Sequence, residues 1–240
     1  MSDMPHTAMV LAAGLGKRMR PLTETTAKPL LSVGERSLID RALDELVAAG
    51  VKRAVVNVHW CADKVEAHVL ARSDIDIVIS DERAAALETG GGLAKARPLL
   101  GDDPIFVVNT DAFWAPPSPE PLLAMAKAFC PDRMDGLLLL ADTQRCLGFP
   151  GAGDFFLGED GRLTRRGGAA SAPWAYAGLR IIKPQSFDDE PVEAFSVLRK
   201  WDVSIAAGRL YGHCLDRFWL HVGTPDALAD AEIWLRCHGG

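Results

Sequence analysis

Residues 11–30 read LAAGLGKRMRPLTETTAKPL, a stretch in which an apolar segment ends in glycines and four basic side chains follow. The residues just before it extend the apolar segment, and 7–13, TAMVLAA, have the composition of a buried parallel strand. Gly14 and Gly16 let backbone N–H groups approach phosphate oxygens, and the basic side chains can neutralise the phosphate charge. The stretch therefore predicts a strand that leads into a phosphate-binding loop.

This loop does not match either of two common phosphate-binding patterns. Gly14 and Gly16 do not form GxGxxG, and no GxxxxGK[ST] occurs in the chain. A dinucleotide-binding dehydrogenase and a P-loop ATPase are therefore not supported.

Strands and helices alternate around the loop. Residues 37–49, SLIDRALDELVAA, have apolar side chains at helical spacing; Ser37 can cap the start of a helix and Gly50 can end it. Further apolar segments predict strands at 54–58, 75–79, 105–108, 137–141, 175–182 and 219–222, and helices at 62–71, 122–129 and 225–235. The alternation predicts an α/β fold with a mainly parallel sheet that helices cover on both faces.

Two stretches are expected to lack long regular elements. Residues 115–121, APPSPEP, are too rich in proline for a helix or strand, and 148–172 are rich in glycine and charge. We expect a surface loop at the first stretch and hairpins and loops at the second. Neither resembles an interdomain linker, so residues 1–240 are predicted to form one domain.

Composition excludes several classes of function. The 240 residues carry a formal charge of -6, and no basic patch stands out, which argues against a nucleic-acid partner. The chain shows no signal-peptide pattern and no apolar run long enough to span a bilayer, so we expect no membrane partner and a cytoplasmic location. Its five cysteines are scattered without a CxxC pair, which favours reduced thiols over a disulfide framework or a zinc site.

Asp111 is a candidate metal ligand. It follows the apolar run 105–108, so it is expected at the carboxyl end of a strand, where open α/β sheets bind ligands. A carboxylate at this position can hold Mg²⁺. The alternative is an ordinary turn or helix-capping aspartate.

The segment 87–92, LETGGG, precedes a helix-compatible stretch, LAKARPLL. Three glycines near a helix N-terminus would allow close approach by a base or a phosphate. The alternative is a tight turn.

Residues 11–31 closely resemble the motif of sugar-1-phosphate nucleotidylyltransferases, roughly LAAGxGxRxxPLTxxxPKPLxP, apart from Ala27 and Ser32 at the second and last prolines. Further family-like stretches follow in order: LETGGGLAKA (87–96), VVNTDAFW (107–114), YAGLRII (176–182) and WLHVGTPDAL (219–228). The resemblance implies a three-layer, Rossmann-like nucleotidylyltransferase domain with a nucleotide-binding half (1–115) and a sugar-phosphate-binding half (116–240). No left-handed β-helix domain is expected.

The resemblance also implies roles for individual residues. Arg18 would bind the leaving pyrophosphate, Lys28 would stabilise charge on the reacting α-phosphate, and Asp111 would hold Mg²⁺. For the two cations the alternative is a solvated charged loop. The nucleotide would contact Ala12, Ala13, Gly14, Gly16, Glu82, Gly90, Gly91 and Asn109, with Glu82 reading the edge of the base.

On the acceptor side, the resemblance implies four residues that bind the sugar phosphate: Glu88, Asp154, Tyr176 and Gly178. Two of them have structural alternatives, because Asp154 can be an ordinary loop carboxylate and Tyr176 a half-buried strand residue.

His221 is the main departure from the family pattern, since many members have a metal-binding aspartate at this position. Histidine suits Mn²⁺, Co²⁺ or Zn²⁺ better than it suits Mg²⁺, which prefers oxygen ligands. His221 can bind the metal directly or through a neighbouring group, it can orient water while substrate phosphates supply oxygen ligands, or it can mark a loss of activity.

The reaction that the resemblance implies joins a nucleoside monophosphate from an NTP to a sugar 1-phosphate and releases pyrophosphate. The compact length and the LETGGG, KARPLLG and GDF stretches are most similar to family members that use UTP and N-acetylmuramate 1-phosphate in cell-wall sugar recycling. One alternative is a mannose- or heptose-1-phosphate guanylyltransferase, and another is an inactive nucleotide or sugar-phosphate sensor. The oligomeric state, monomer or dimer, is left open.

Overall fold

The structure, a computed structural model, describes residues 4–238. Its helices are α1 (Leu38–Ala48), α2 (Ala62–Leu70), α3 (Glu88–Leu100), α4 (Glu120–Ala128), α5 (Leu198–Ala206) and α6 (Pro225–His238). Its strands are β1 (Thr7–Leu11), β2 (Ser32–Val33), β3 (Arg36–Ser37), β4 (Arg53–Val58), β5 (Asp76–Asp81), β6 (Ile105–Asn109), β7 (Ala112–Ala115), β8 (Gly136–Asp142), β9 (Cys146–Leu147), β10 (Phe155–Leu157), β11 (Leu163–Arg165), β12 (Trp174–Ile182), β13 (Leu210–Cys214) and β14 (Phe218–His221).

The main sheet combines strands from both halves of the sequence. Its order is β11-β10-β12-β6-β1-β4-β5, and β8 pairs with both β12 and β13 beside this path. The pairs β6–β1, β1–β4 and β4–β5 are parallel, whereas β12 is antiparallel to both β6 and β8. The prediction of a mixed, mainly parallel sheet in an α/β fold is confirmed.

Successive residues of β1 show why the sheet is covered on both faces. Ala8 and Val10 are fully buried in one apolar cluster, which also holds Leu43 of α1. Met9 is fully buried in a second cluster, together with Leu93 of α3. Since neighbouring side chains of a strand point to opposite faces, these clusters are the two cores of a three-layer structure.

Helix α1 agrees closely with the pattern that predicted it. The Ser37 side chain accepts a hydrogen bond from the Asp40 backbone N–H at 3.1 Å, as an N-cap does. Gly50 follows the helix with a φ of +92°, a conformation that costs glycine little.

The second half differs more from the sequence-based expectation. The expected hairpin is present, formed by β10 and β11. The surface loop expected over 115–121 is shorter, because β7 includes Ala115 and α4 begins at Glu120, with Pro121 in its first turn, where a helix tolerates proline. Helix α5 and strand β13 were not predicted. A second small sheet, β7-β14-β9, also forms beside the main one, and β7 pairs with the predicted strand near 219–222.

Within residues 4–238, no helix is both long enough and apolar enough to cross a membrane. The five cysteines, all in this part of the chain, are free thiols.

Candidate active site

A cavity of about 400 Å³ lies at the carboxyl ends of β1, β4 and β6, against the glycine loop that follows β1. We call it the loop cavity. It is lined by Leu11, Ala12, Ala13, Gly14, Leu15, Lys17, Lys28, Pro29, Asn57, Glu82, Ala86, Glu88, Thr89, Asn109, Thr110 and Asp111. Its position is where parallel α/β sheets bind ligands.

Asn57 connects the ends of three strands beneath this cavity. Its Oδ1 accepts a hydrogen bond from the Ala12 backbone N–H at 2.7 Å, and its Nδ2 donates to Glu82 Oε1 at 2.7 Å. Gly92 leaves the space for this pair, since a Cβ there would lie 2.9 Å from Glu82 Oε1 and 3.0 Å from Asn57 Nδ2. The start of the glycine loop is therefore anchored to β4 and β5. Asn57 was not predicted from the sequence, although an amide within the apolar run AVVNV was a usable signal.

Glu82 is 1% exposed and has no ion-pair partner among the described residues. Burial raises the pKa of its carboxyl above the ordinary value, and the hydrogen bonds from Asn57 and Leu87 only partly offset this effect. The side chain lines the loop cavity, as expected for a residue near the base, and it also holds Asn57 in place.

Lys28 and Asp111 meet at one end of the loop cavity. The Lys28 Nζ lies 3.1 Å from Asp111 Oδ2, and both side chains are largely buried. Burial alone would raise the pKa of Asp111, but nearby cations, Lys28 first among them, outweigh it and lower the pKa below the ordinary aspartate value. The carboxylate is therefore ionised at neutral pH and paired with a cation.

A second cavity, of about 370 Å³, lies on the other side of Asp111. We call it the Tyr176 cavity. It is lined by Thr89, Asn109, Asp111, Ala112, Phe149, Asp154, Arg165, Tyr176, Gly178, Arg180, Ser196, Val197, Leu198, Trp201, Trp219 and His221. Thr89, Asn109 and Asp111 line both cavities, so the two spaces share one wall at the Asp111 carboxylate.

His221 and Asp111 form a donor set that fits a divalent metal. His221 Nδ1 lies 3.2 Å from the carbonyl oxygen of Gly148, which can only accept, so Nδ1 carries the hydrogen. In the neutral ring Nε2 is then a lone-pair donor, 3.8 Å from Asp111 Oδ2. Among residues 4–238, no cluster of three or more His, Cys, Asp or Glu side chains could hold a metal. A metal here would therefore take most of its ligands from substrate phosphates and water.

Arg18 lies outside both cavities but close to their junction. Its side chain is exposed and lines a third cavity of about 260 Å³ together with Gly148, Phe149 and His221. Among the described residues it has no ion-pair partner, while its charge contributes to the low pKa of Asp111. It is available to an anionic ligand next to Asp111.

Most residues that the sequence singled out are brought together. The loop cavity is lined by the predicted Ala12, Ala13, Gly14, Lys28, Glu82, Asn109 and Asp111, and the Tyr176 cavity by Asp154, Tyr176, Gly178 and His221. Gly16 is set back: it has a φ of +60°, and a Cβ there would lie 3.0 Å from Thr23 Cγ2. It shapes the loop without lining either cavity.

Three predicted residues are placed differently because α3 begins at Glu88, before the glycines. Glu88, expected on the acceptor side, lines the loop cavity. Gly90 and Gly91 line neither cavity, and their N–H groups donate to the Phe195 carbonyl at 2.8 and 3.2 Å. A Cβ at position 91 would lie 1.9 Å from the Glu193 carbonyl oxygen. These two glycines therefore allow close packing of the 193–195 segment, a correction to the expected contact with the nucleotide.

The family model described as nucleotidyl transferase matches residues 7–143, more than half of the chain. The chain belongs to this nucleotidyl transferase family. The resemblance seen in the sequence motif is thereby confirmed.

Similar proteins agree with this family assignment. The chain is 48% identical to the N-acetylmuramate alpha-1-phosphate uridylyltransferase of Caulobacter vibrioides, and the match covers 98% of this chain and 99% of that one. It is 34% identical to the enzyme of the same name from Neisseria meningitidis serogroup B, over 94% and 96% of the two chains. The inositol-1-phosphate CTP transferase from T. maritima has the same fold, with a TM-score of 0.78 at 16% identity and 98% coverage of both chains.

Proposed function

We propose that this enzyme transfers UMP from UTP to N-acetylmuramate 1-phosphate, giving UDP-N-acetylmuramate and pyrophosphate. The observation that carries the proposal is the shared wall between the loop cavity and the Tyr176 cavity, with Lys28 and Asp111 in contact there. Two substrates placed on either side of this wall would have their phosphates side by side.

The donor NTP fits the loop cavity. Its phosphates would lie against the glycine loop near Lys17 and Lys28, and the base would lie toward Glu82. Lys28 would stabilise the charge that develops on the α-phosphate, and Arg18 the leaving pyrophosphate. An oxygen of the sugar 1-phosphate forms a bond to the α-phosphorus while the bond to the pyrophosphate oxygen breaks, so no protein nucleophile is needed.

Asp111 and His221 would hold the divalent metal, which we propose is Mg²⁺, with Mn²⁺ as the alternative that a histidine ligand favours. When bound, the metal offsets the repulsion between the anionic substrates. The protein's own contribution is to hold the Asp111 carboxylate ionised and the His221 ring fixed by Gly148.

The choice of UTP and N-acetylmuramate 1-phosphate is supported by the two relatives that carry this activity in their names and cover almost the whole chain. Such an enzyme acts in the re-use of cell-wall amino sugars. The free thiols support a reducing compartment, and we propose the cytoplasm.

The test is pyrophosphate release by the purified protein, with each of UTP, GTP, CTP, ATP and dTTP combined with a panel of sugar 1-phosphates. The panel contains the N-acetylmuramate, N-acetylglucosamine, glucose, mannose and heptose forms, first in Mg²⁺ and then in Mn²⁺. We expect the highest kcat/KM with UTP and N-acetylmuramate 1-phosphate. A preference for GTP with mannose or heptose 1-phosphate would favour a guanylyltransferase instead. Nucleotide binding without pyrophosphate release in either metal would favour a sensor.

A further inference from the structure

Arg180 is a buried cation without a carboxylate partner. Its side chain is 1% exposed, and it forms no ion pair with any residue in the described range 4–238. Its Nη1 donates to the Tyr176 hydroxyl oxygen at 2.8 Å, while Nε and Nη2 have no hydrogen-bond partner. An unpaired buried charge is costly, and proteins retain such groups mainly at functional sites.

The surroundings of Arg180 only partly compensate its charge. The guanidinium lies 5.7 Å from the centre of the Tyr176 ring and 5.6 Å from that of Trp201, distances at which cation–π attraction operates. The other charged side chains of the Tyr176 cavity are engaged elsewhere: Asp111 pairs with Lys28, Arg165 with Asp202, and Asp154 accepts from the Tyr176 backbone N–H at 2.9 Å. Neither carboxylate forms an ion pair or a hydrogen bond with Arg180, so the described residues that line the cavity leave its charge without an ionic partner.

The Tyr176 hydroxyl can transmit the positive charge of Arg180 to a ligand in the cavity. Arg180 donates to its oxygen, so the hydroxyl hydrogen is free to donate to a ligand in the cavity that both residues line. Burial raises the pKa of Tyr176, which keeps the hydroxyl protonated at neutral pH. A phenol that receives a hydrogen bond from a cation becomes a stronger donor to an anion.

The sugar 1-phosphate group itself belongs at a different place. Arg180 pairs with Val107 of β6, four residues before Asp111. Gly178 lies just beyond the end of this pairing, where a Cβ would be 3.4 Å from the Cβ of Asn109. The phosphate has to reach the Lys28–Asp111 contact, at the residues that line both cavities. A group beside Tyr176 and Arg180 is thus another substituent of the acceptor.

We propose that Tyr176 and Arg180 recognise a carboxylate carried by the acceptor sugar, with Tyr176 donating to it and Arg180 setting the preference for negative charge. This inference rests on the proposed function, because N-acetylmuramate 1-phosphate carries a carboxylate on its lactyl ether and N-acetylglucosamine 1-phosphate, otherwise the same sugar, lacks it. Arg180 and Tyr176 would then make the enzyme select N-acetylmuramate 1-phosphate over N-acetylglucosamine 1-phosphate.

The test compares the two acceptors in wild type, Arg180→Met, Arg180→Lys and Tyr176→Phe. For Arg180→Met we expect kcat/KM with N-acetylmuramate 1-phosphate to fall about 100-fold, mainly through KM, the size expected for a lost charge-assisted contact. With N-acetylglucosamine 1-phosphate the loss should stay below about threefold, because no charge is recognised there. Arg180→Lys should restore part of the selectivity, and Tyr176→Phe should reduce it in the same direction.

Two controls separate this idea from a structural role. Arg53→Met removes an exposed arginine that pairs with Asp76 at the far end of β4, and it should leave both kcat/KM values unchanged. Thermal unfolding should show Arg180→Met at least as stable as wild type, since methionine packs where a buried unpaired cation lay. Equal losses with both acceptors, or a large drop in the unfolding temperature, would make Arg180 a structural residue and overturn the proposal.

Calorimetric binding of both acceptors to the wild-type protein distinguishes failure of this inference from failure of the proposed function. A wild type that binds both sugars equally tightly overturns the carboxylate inference. If the wild type binds the carboxylate-bearing sugar more tightly but releases no pyrophosphate with UTP, the carboxylate inference stands and the proposed reaction is overturned.

Discussion

At the scale of single residues, Asp111 is the group on which the proposed chemistry depends most. Its carboxylate lies on the wall common to both cavities and contacts Lys28. Asp111→Asn keeps the shape of the side chain and removes the charge, so kcat should fall at least about 100- to 1000-fold, as when one electrostatic contact to a reacting group is lost. Steady-state pyrophosphate release measures the loss, and circular dichroism should show an unchanged fold. Near-normal turnover would exclude Asp111 as a metal ligand.

His221 should determine which metal supports the reaction. We expect the Mg²⁺-to-Mn²⁺ ratio of kcat to be at least tenfold higher in His221→Asp than in wild type, because oxygen replaces nitrogen as a metal ligand. The matched control is His238→Asp, which changes an exposed histidine at the end of α6 and should leave the ratio unchanged. An unchanged ratio in His221→Asp would show that the imidazole does not contact the metal.

At the scale of elements, the hydrogen bonds that join β1, β4 and β5 through Ala12, Asn57 and Glu82 include one buried acid. Glu82 therefore makes the free energy of unfolding depend on pH. Burial raises its pKa, so above about pH 4.3, the ordinary value for glutamate, the folded protein keeps a proton that the unfolded chain has lost. The free energy of unfolding therefore falls as pH rises through this window. Glutamine cannot ionise, so Glu82→Gln should lack this decrease in the free energy of unfolding.

Chemical denaturation at several pH values between about 4 and 7 measures this difference. Relative to wild type, Glu82→Gln should become progressively more stable as pH rises. The exposed Glu159→Gln should reproduce the wild-type profile. Parallel profiles for Glu82→Gln and wild type would contradict the assignment of a raised pKa.

The first turn of α3 is sensitive to any added side-chain atom. In Gly91→Ala the new Cβ would meet the Glu193 carbonyl oxygen, a backbone atom that cannot rotate away. We expect the free energy of unfolding to drop by about 1–3 kcal/mol, the usual range for overpacking. Gly168→Ala, where a Cβ meets nothing within 4 Å, is the control for the denaturation measurement. Equal stability of both variants would show that the 193–195 segment shifts freely.

Sequence patterns predicted the parts of the fold that are locally encoded. Helix α1 carries its own cap and an apolar face, so its predicted ends are each within one residue of those observed. Strand β1 is a plain apolar run, and it begins where predicted but ends two residues earlier, at Leu11. The glycines of α3 were interpreted as ligand contacts because their packing partner, Phe195, lies about a hundred positions later in the chain. Arg180 was missed for the same reason: within YAGLRII it is an ordinary strand residue, and only the fold shows that it forms no ion pair with any of residues 4–238.

At the scale of the whole molecule, the β6–β12 pairing joins the two halves into one sheet, and the Asp111 wall lies just beyond it. A nucleotide bound in the loop cavity should therefore stabilise the entire domain. At 100 times its dissociation constant, UTP should add about 2.7 kcal/mol of stability, or roughly 5–10 °C in Tm. Uridine, which lacks the phosphates, is the control ligand for thermal unfolding. No shift with any NTP would contradict nucleotide binding.

The two cavities meet at Thr89, Asn109 and Asp111, and this has a consequence for inhibition. A molecule that joins a uridine phosphate portion to an amino-sugar portion by a short tether would occupy both spaces at once. Once one portion is bound, the other is held near its own site at a high effective concentration, so the joined molecule gains affinity that neither fragment has alone. The spacing across Asp111 sets the tether length, and a tether too short to cross it would forfeit the gain.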